Sequence, residues 1–193
     1  MNILRVMIRA VLPVLILAGS AAPSFASVSE GDEPWTRPQL GIWFGPITPI
    51  GPLFGRLDTY LGGGAYARLP VFEYGTVSAD VSYQEYPSET MNELDVVPMY
   101  GSFLFRLPFR SPIQISAKAG AGSAWVRLLP ENRSQFDPMF MAGMELSFPA
   151  GTFVNIGLRI DFIYLYESWK AKAKNDGYLV NAGLTLFFNL DIF

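Results

Sequence analysis

TFVNIGLRIDFIYLY, residues Thr152 to Tyr166, alternates with a period of two. Val154, Ile156, Leu158, Ile160, Phe162 and Tyr164 are apolar, while Asn155, Gly157, Arg159 and Asp161 fill the positions between them. A strand sends successive side chains to opposite faces, so one face is greasy along its length and the other carries an Arg and an Asp two residues apart. The stretch exceeds the roughly 5–6 residues of a typical globular strand and the ~9–11 that a tilted strand needs to cross a bilayer. The pattern recurs along the chain and predicts an all-β fold: an eight-stranded antiparallel up-and-down transmembrane β-barrel, preceded by a cleaved signal peptide.

The N-terminus reads as a targeting segment. Arg5 and Arg9 form a positive region, Ala10 to Ala18 an apolar one, and Ser24-Phe25-Ala26 offers small residues for cleavage before Ser27. That apolar core is shorter than the ~18 residues of a spanning helix and contains Pro13. Residues 1–26 are therefore expected to be a signal peptide, 27–34 an acidic, disordered lead-in, and 35–193 the barrel. Without Arg5 and Arg9 the chain holds 12 Lys+Arg against 17 Asp+Glu, a net charge of −5 that argues against nucleic acid as a partner. There is no cysteine, hence no disulfide and no thiol chemistry in an exported chain. Only 16% of residues are charged, against ~25% in ordinary soluble domains, and 50% are apolar. A mature chain of roughly 165 residues makes one domain, expected to be a monomer.

Taken in order, the strands are expected at 39–46, 59–69, 77–84, 96–107, 113–125, 139–148, the opening stretch, and 178 to the C-terminus. The triplet Gly62-Gly63-Gly64 leaves the register of the second strand open. Residues 47–58, 85–95, 128–138 and 167–177 read as long loops, and the remaining connections as short turns. All short turns then fall at one barrel end, as in outer-membrane barrels with short periplasmic turns and longer external loops. Tyr83, Trp125, Tyr164 and Tyr178 lie next to the long loops, and Phe72, Phe105 and Phe148 near the short turns, where membrane interfaces favour aromatic rings.

With this leader, strand count and terminal Phe193, the chain resembles the small eight-stranded outer-membrane proteins of Gram-negative bacteria, of the OmpX, OmpW and OmpA membrane-domain type. The likeness covers about Trp35 to Phe193 and is one of architecture, without a diagnostic motif. It implies residence in the outer membrane of a Gram-negative bacterium, contact with membrane lipid and lipopolysaccharide, and insertion by the outer-membrane assembly machinery. Phe193 departs from the pattern: it shares parity with Asp191 and Asn189, whereas Ile192 continues the apolar face.

The polar face collects Arg68, Asp80, Gln84, Arg106, Lys118, Glu145, Arg159 and Asp161. An eight-stranded barrel is just wide enough for side chains to fill it, and buried charges persist when paired. These residues are thus expected to form a polar network that plugs the lumen rather than an ion pathway, with glycines such as Gly143 and Gly157 making room. The chain lacks His as well as Cys, which removes the usual general base, the common nucleophile pairs and most transition-metal sites. No enzyme, cofactor or metal is expected. Glu85, Glu89, Glu93 and Asp95 cluster on one loop but match no known calcium spacing, and read as solvated carboxylates. Lys170, Lys172 and Lys174 beside Trp169 are candidates for meeting lipopolysaccharide phosphates, with acidic Glu89 and Glu93 as a counterpart.

Three functional readings follow. The first is a structural or surface-interaction barrel with an occluded lumen. The second is a narrow OmpW-like channel for small hydrophobic solutes, which Trp43, Tyr66 and Phe187 on the polar face leave open. The third, a soluble lipocalin-like carrier, would turn its apolar face inward, leaving too few charges to solvate the exterior.

Overall fold

The computed structural model describes residues 37–88, 93–108, 113–150, 153–166 and 176–190. The expected signal peptide and lead-in lie outside them, as do Glu89, Lys170, Lys172, Lys174 and Phe193. The strands are β1 (Gln39–Ile50), β2 (Tyr60–Phe72), β3 (Gly75–Tyr86), β4 (Glu93–Arg106), β5 (Gln114–Leu129), β6 (Arg133–Pro149), β7 (Val154–Leu165) and β8 (Gly177–Asn189). Each pairs antiparallel with the next, and β8 pairs back onto β1 to close the barrel. Closure leaves no open edge within the membrane section, the condition for putting a sheet in lipid.

The cylinder is inside-out. On β7, Leu158 is 55% and Phe162 52% exposed, whereas Arg159 is 3% and Asp161 0%. The same parity holds on β1, where Ile42 and Phe44 face outward and Trp43 and Ile47 inward. Such an exterior is solvated by hydrocarbon, not by water, so the soluble-carrier orientation is not the one adopted. Aromatic contacts mark both ends of the wall: Phe140, Tyr164 and Tyr178 on adjacent strands run side by side at the loop end, and Phe72 of β2 meets Phe103 of β4 over β3 at the turn end. The Gly62–Gly64 register is continuous, pairing with Gly45, Phe44 and Trp43 in turn.

Three sequence expectations need correction. Residues 85–95 are not a loop throughout: Glu85 pairs with Asp95 across β3 and β4, and Asp95 is buried, 3.8 Å from Arg127 and accepting from the Tyr83 hydroxyl, rather than solvated. Residues 128–138 are no long loop: β5 and β6 meet in a turn at Pro130–Asn132, with Asn132 in the left-handed region (φ 53°) and its side chain accepting from Arg127 Nε at 3.0 Å. Their polar composition suggests a loop because a hairpin standing above the bilayer is wetted on both faces. Outward of Pro138, whose carbonyl accepts from Tyr166 N at 2.9 Å, the strand residues 133–137 of β6 pair only with β5 among the described residues. Residues 47–50, expected in a loop, prolong β1, and Pro49 is fully buried there.

The interior has two layers. Toward the turn end and through the middle it is polar. Toward the loop end it is mainly apolar, formed by Ile47, Tyr86, Val96, Val126, Met139, Met141, Ile163, Leu165 and Leu179, with Gln84, Asp95 and Asp137 buried among them. The β1–β2 connection opens with a single 3-10 turn (Gly51–Leu53), and its Leu53 and Leu57, with Leu94 of β4, pack onto this cluster. The outer mouth is thus floored with hydrocarbon side chains.

Candidate functional site

The polar layer is built by strands that are not neighbours in the sheet. Arg68 on β2 reaches Glu145 on β6 through two parallel bonds, Nη1 to Oε1 at 2.8 Å and Nη2 to Oε2 at 2.6 Å. This fork geometry gives direction as well as strength. The Arg68 guanidinium also lies 4.1 Å from the Tyr66 ring centroid and 5.4 Å from that of Phe187. On β7, Arg159 donates Nε to Asp161 at 2.8 Å and Nη2 to both Asp161 and the Tyr100 hydroxyl, the latter at 2.9 Å. It stands 3.5 Å from Asp80 and 4.9 Å from the Trp43 ring. Lys118 Nζ is 2.8 Å from Asp161 Oδ1, and Ser78 donates to Asp80 at 2.6 Å.

Arg68, Lys118 and Arg159 therefore meet Asp80, Glu145 and Asp161: three cations against three anions, all buried. A balanced set projects little net potential along the axis, so it is poorly suited to selecting ions by charge. Room for it comes from missing side chains. A Cβ on Gly143 would come within 2.3 Å of Asp161 Oδ1 and 3.1 Å of Lys118 Cε, and one on Gly41 within 2.3 Å of the Tyr66 ring.

Of the eight polar-face residues named from the sequence, the structure brings six together in this belt. Gln84 lies further toward the loops, accepting from the Tyr86 hydroxyl at 2.7 Å and donating to Ser82 at 3.3 Å. Arg106 lies at the turn-end mouth, where Nη2 donates to the Glu73 carbonyl at 2.6 Å beside the Tyr74 ring. Glu93 is exposed at the start of β4, opposite Leu129. Sequence reasoning placed Tyr66 on the polar face but not its bond to Thr185, which lies beyond β1 on β8, and it missed Tyr100. Both share inward parity with Arg68 and Ser102, and that was the available signal. Missed too was the apolar outer layer, since Met139 and Met141 sit among outward apolar residues and give no alternation.

A closed eight-stranded barrel with an apolar wall facing outward and a balanced ionic belt inside has the architecture of the small membrane-spanning β-barrels known from Gram-negative outer membranes. Comparison with solved structures agrees at the level of fold. Neisserial surface protein A superposes with a TM-score of 0.62 at 8% identity, over 79% of this chain and 97% of that one. The N-terminal barrel domain of Pseudomonas aeruginosa OprF gives 0.52 at 14% identity, over 80% and 98%. OprG of Pseudomonas aeruginosa gives 0.51 at 7%, over 80% and 98%. No family model and no curated protein matches the sequence.

Proposed function

We infer that the protein is a structural or surface-interaction barrel whose lumen is occluded. One observation carries this reading: side chains from facing walls meet in the middle of the cylinder, as Arg68 does with Glu145, and the outer mouth above them is filled by the apolar cluster under Leu53 and Leu57. What remains for contact with other molecules is the outer end, where the β5–β6 hairpin stands beyond the β6–β7 pairing. Planar-bilayer recording of the purified protein should show no steady conductance; a stable open level would overturn the reading.

The same reading assigns Lys170, Lys172 and Lys174 to lipopolysaccharide phosphates and makes Glu89 and Glu93 their acidic counterpart. Exposed pairs of this kind contribute ~0–1 kcal/mol each. Lys→Gln at all three positions should weaken lipopolysaccharide retention, and unchanged retention and antibiotic permeability would end the assignment. Insertion by the outer-membrane assembly machinery as a monomer belongs to this proposal as well.

A second reading, a narrow conduit for small hydrophobic solutes, is favoured by the apolar outer half of the lumen. It requires Tyr86, Met139 and Leu179, which are nearly or fully inaccessible, to move aside. Uptake of an apolar solute into liposomes carrying the protein, without ionic conductance, would select it over the first.

A further inference from the structure

Beyond its pairing with β7, strand β6 presents an open backbone edge. Pro138 turns its carbonyl toward β7 and accepts from Tyr166 N at 2.9 Å. Backbone groups alternate between the two sides of a strand, so the N–H and C=O of Phe136 and Ser134 point the same way as those of Pro138. On its other side this stretch pairs with β5. Toward β7, neither Phe136 nor Ser134 meets a backbone partner among the described residues. An open edge is a template for another strand, and folded proteins cover or blunt it.

Two registers indicate what can cover it. β6 and β7 pair Met139↔Leu165, and one further step brings Pro138 to Tyr166. Continued past that point, the same register sets Glu167 against Asp137, Ser168 against Phe136 and Lys170 against Ser134. β7 and β8 pair Leu165↔Gly177, and their register, continued likewise, turns around Ala171. The arm leaving β7 would then end at Lys170, level with the last open position of β6. Residues 167–175 suffice for such a hairpin with little to spare. Lys170-Ala171-Lys172-Ala173-Lys174 also alternates with a period of two, as a strand does. Parity assigns the three lysines to the face of Phe162 and Tyr178, which is the outer wall.

We propose that the chain following Tyr166 docks on the open edge of β6, so that residues 167–170 prolong β7 alongside the β5–β6 hairpin. Docking fixes the three lysines in a row on the outer face, beside Phe136, where phosphate groups of the surrounding lipid are met. For that ligand, though not for the docking itself, the inference rests on the lysine assignment made above. Glu167 would stand opposite Asp137, and like charges facing each other weaken a strand pair. Glu167→Gln should therefore tighten the docking.

The full-length protein, refolded in detergent micelles and labelled with 15N, gives the first test: amide hydrogen exchange at Ser134 and Phe136. Docking predicts exchange slowed at least about a hundredfold from the rate of an unstructured chain, and slower still in Glu167→Gln. Exchange at the unstructured rate overturns the proposal. So does protection that is lost on dilution, since the occupant would then be a second copy. Crosslinking tests the register, in a chain that has no cysteine of its own. Gln135→Cys/Trp169→Cys joins positions that docking sets directly opposite each other, whereas Gln135→Cys/Ala173→Cys puts the second thiol one strand further away. Under mild oxidant the first pair should close at least about tenfold faster, read as a mobility shift in denaturing gels, because thiols beyond disulfide reach close slowly. Equal rates overturn the proposal. Should a cysteine variant fail to fold, the exchange measurement on the parent protein decides. Lipopolysaccharide retention unchanged by Lys→Gln at all three positions would end the phosphate reading while leaving both docking readouts as they are.

Discussion

Glu145→Gln tests the ionic belt most directly. In the native barrel the two Glu145 oxygens accept from Arg68 at 2.8 and 2.6 Å, and both side chains are buried. Removing the negative charge leaves an Arg in the lumen without its counterion. Breaking one partner of a buried pair typically costs ~3–5 kcal/mol. Three features reduce that figure here: the Gln carbonyl still accepts one bond, the Tyr66 ring remains 4.1 Å from the guanidinium, and Phe187 adds a second ring at 5.4 Å. A retained cation–π contact supplies ~0.5–2 kcal/mol. The expected destabilisation is therefore about 2–3 kcal/mol.

With a urea dependence of roughly 2 kcal/mol per molar, the unfolding midpoint in detergent should fall by about 1–1.5 M at unchanged slope. Tryptophan fluorescence follows the transition, and the folded band on unboiled gels confirms it. The double variant Arg68→Met/Glu145→Leu should recover most of the loss, because a packed apolar pair removes the desolvation cost along with the attraction. A single variant within about 0.5 kcal/mol of the parent would refute the reasoning, since surface-like substitutions behave that way. Equal losses in the single and double variants would refute it too, by showing that shape rather than charge pairing holds the belt together.

Other outcomes follow from the same geometry. Leu158→Arg, at a position 55% exposed on the outer wall, should cost about 2–4 kcal/mol when folding into vesicles is measured, whereas Glu131→Arg on the β5–β6 turn should change stability by less than about 0.5 kcal/mol. Equal tolerance of both would contradict a lipid-facing wall. Gly143→Ala should lower stability by about 1–3 kcal/mol, because its Cβ meets the Ile160 carbonyl at 2.6 Å as well as Asp161; the yield of heat-modifiable protein after refolding reads this out. Tyr86→Phe should cost about 1 kcal/mol in urea melts, as the hydroxyl bonds Gln84 at 2.7 Å in a fully buried site.

How far the fold was legible in the sequence depends on depth in the membrane. Where one face of a strand meets lipid and the other a polar lumen, the period of two is unambiguous; β7 and the turn-end half of β8 could be assigned residue by residue. The charged members of the belt were legible for the same reason, since Arg159 or Glu145 has only one tolerable direction to point. Outside the bilayer the contrast vanishes on the wet side, and the β5–β6 hairpin passed for a loop. At the loop end it vanishes on the dry side: Met139, Met141, Ile163 and Leu165 point inward beside outward Phe140 and Phe162. Which cation meets which anion could not be read either, because Arg68 and Glu145 are 77 residues apart and meet across the cylinder rather than along a ladder.

The two-layered interior also bears on how neighbouring strands find their alignment. A displacement by one residue turns every side chain to the opposite face. Around Met139 to Met144 such a displacement would exchange one hydrocarbon group for another, and little would resist it. Immediately beyond, the same displacement would carry Glu145 and Arg159 out of each other's company and toward the acyl chains, where an Arg costs about 2–4 kcal/mol at mid-depth. Misaligned intermediates are thus penalised chiefly at the inner half, so the ions there serve as a ruler for insertion while the greasy half merely follows.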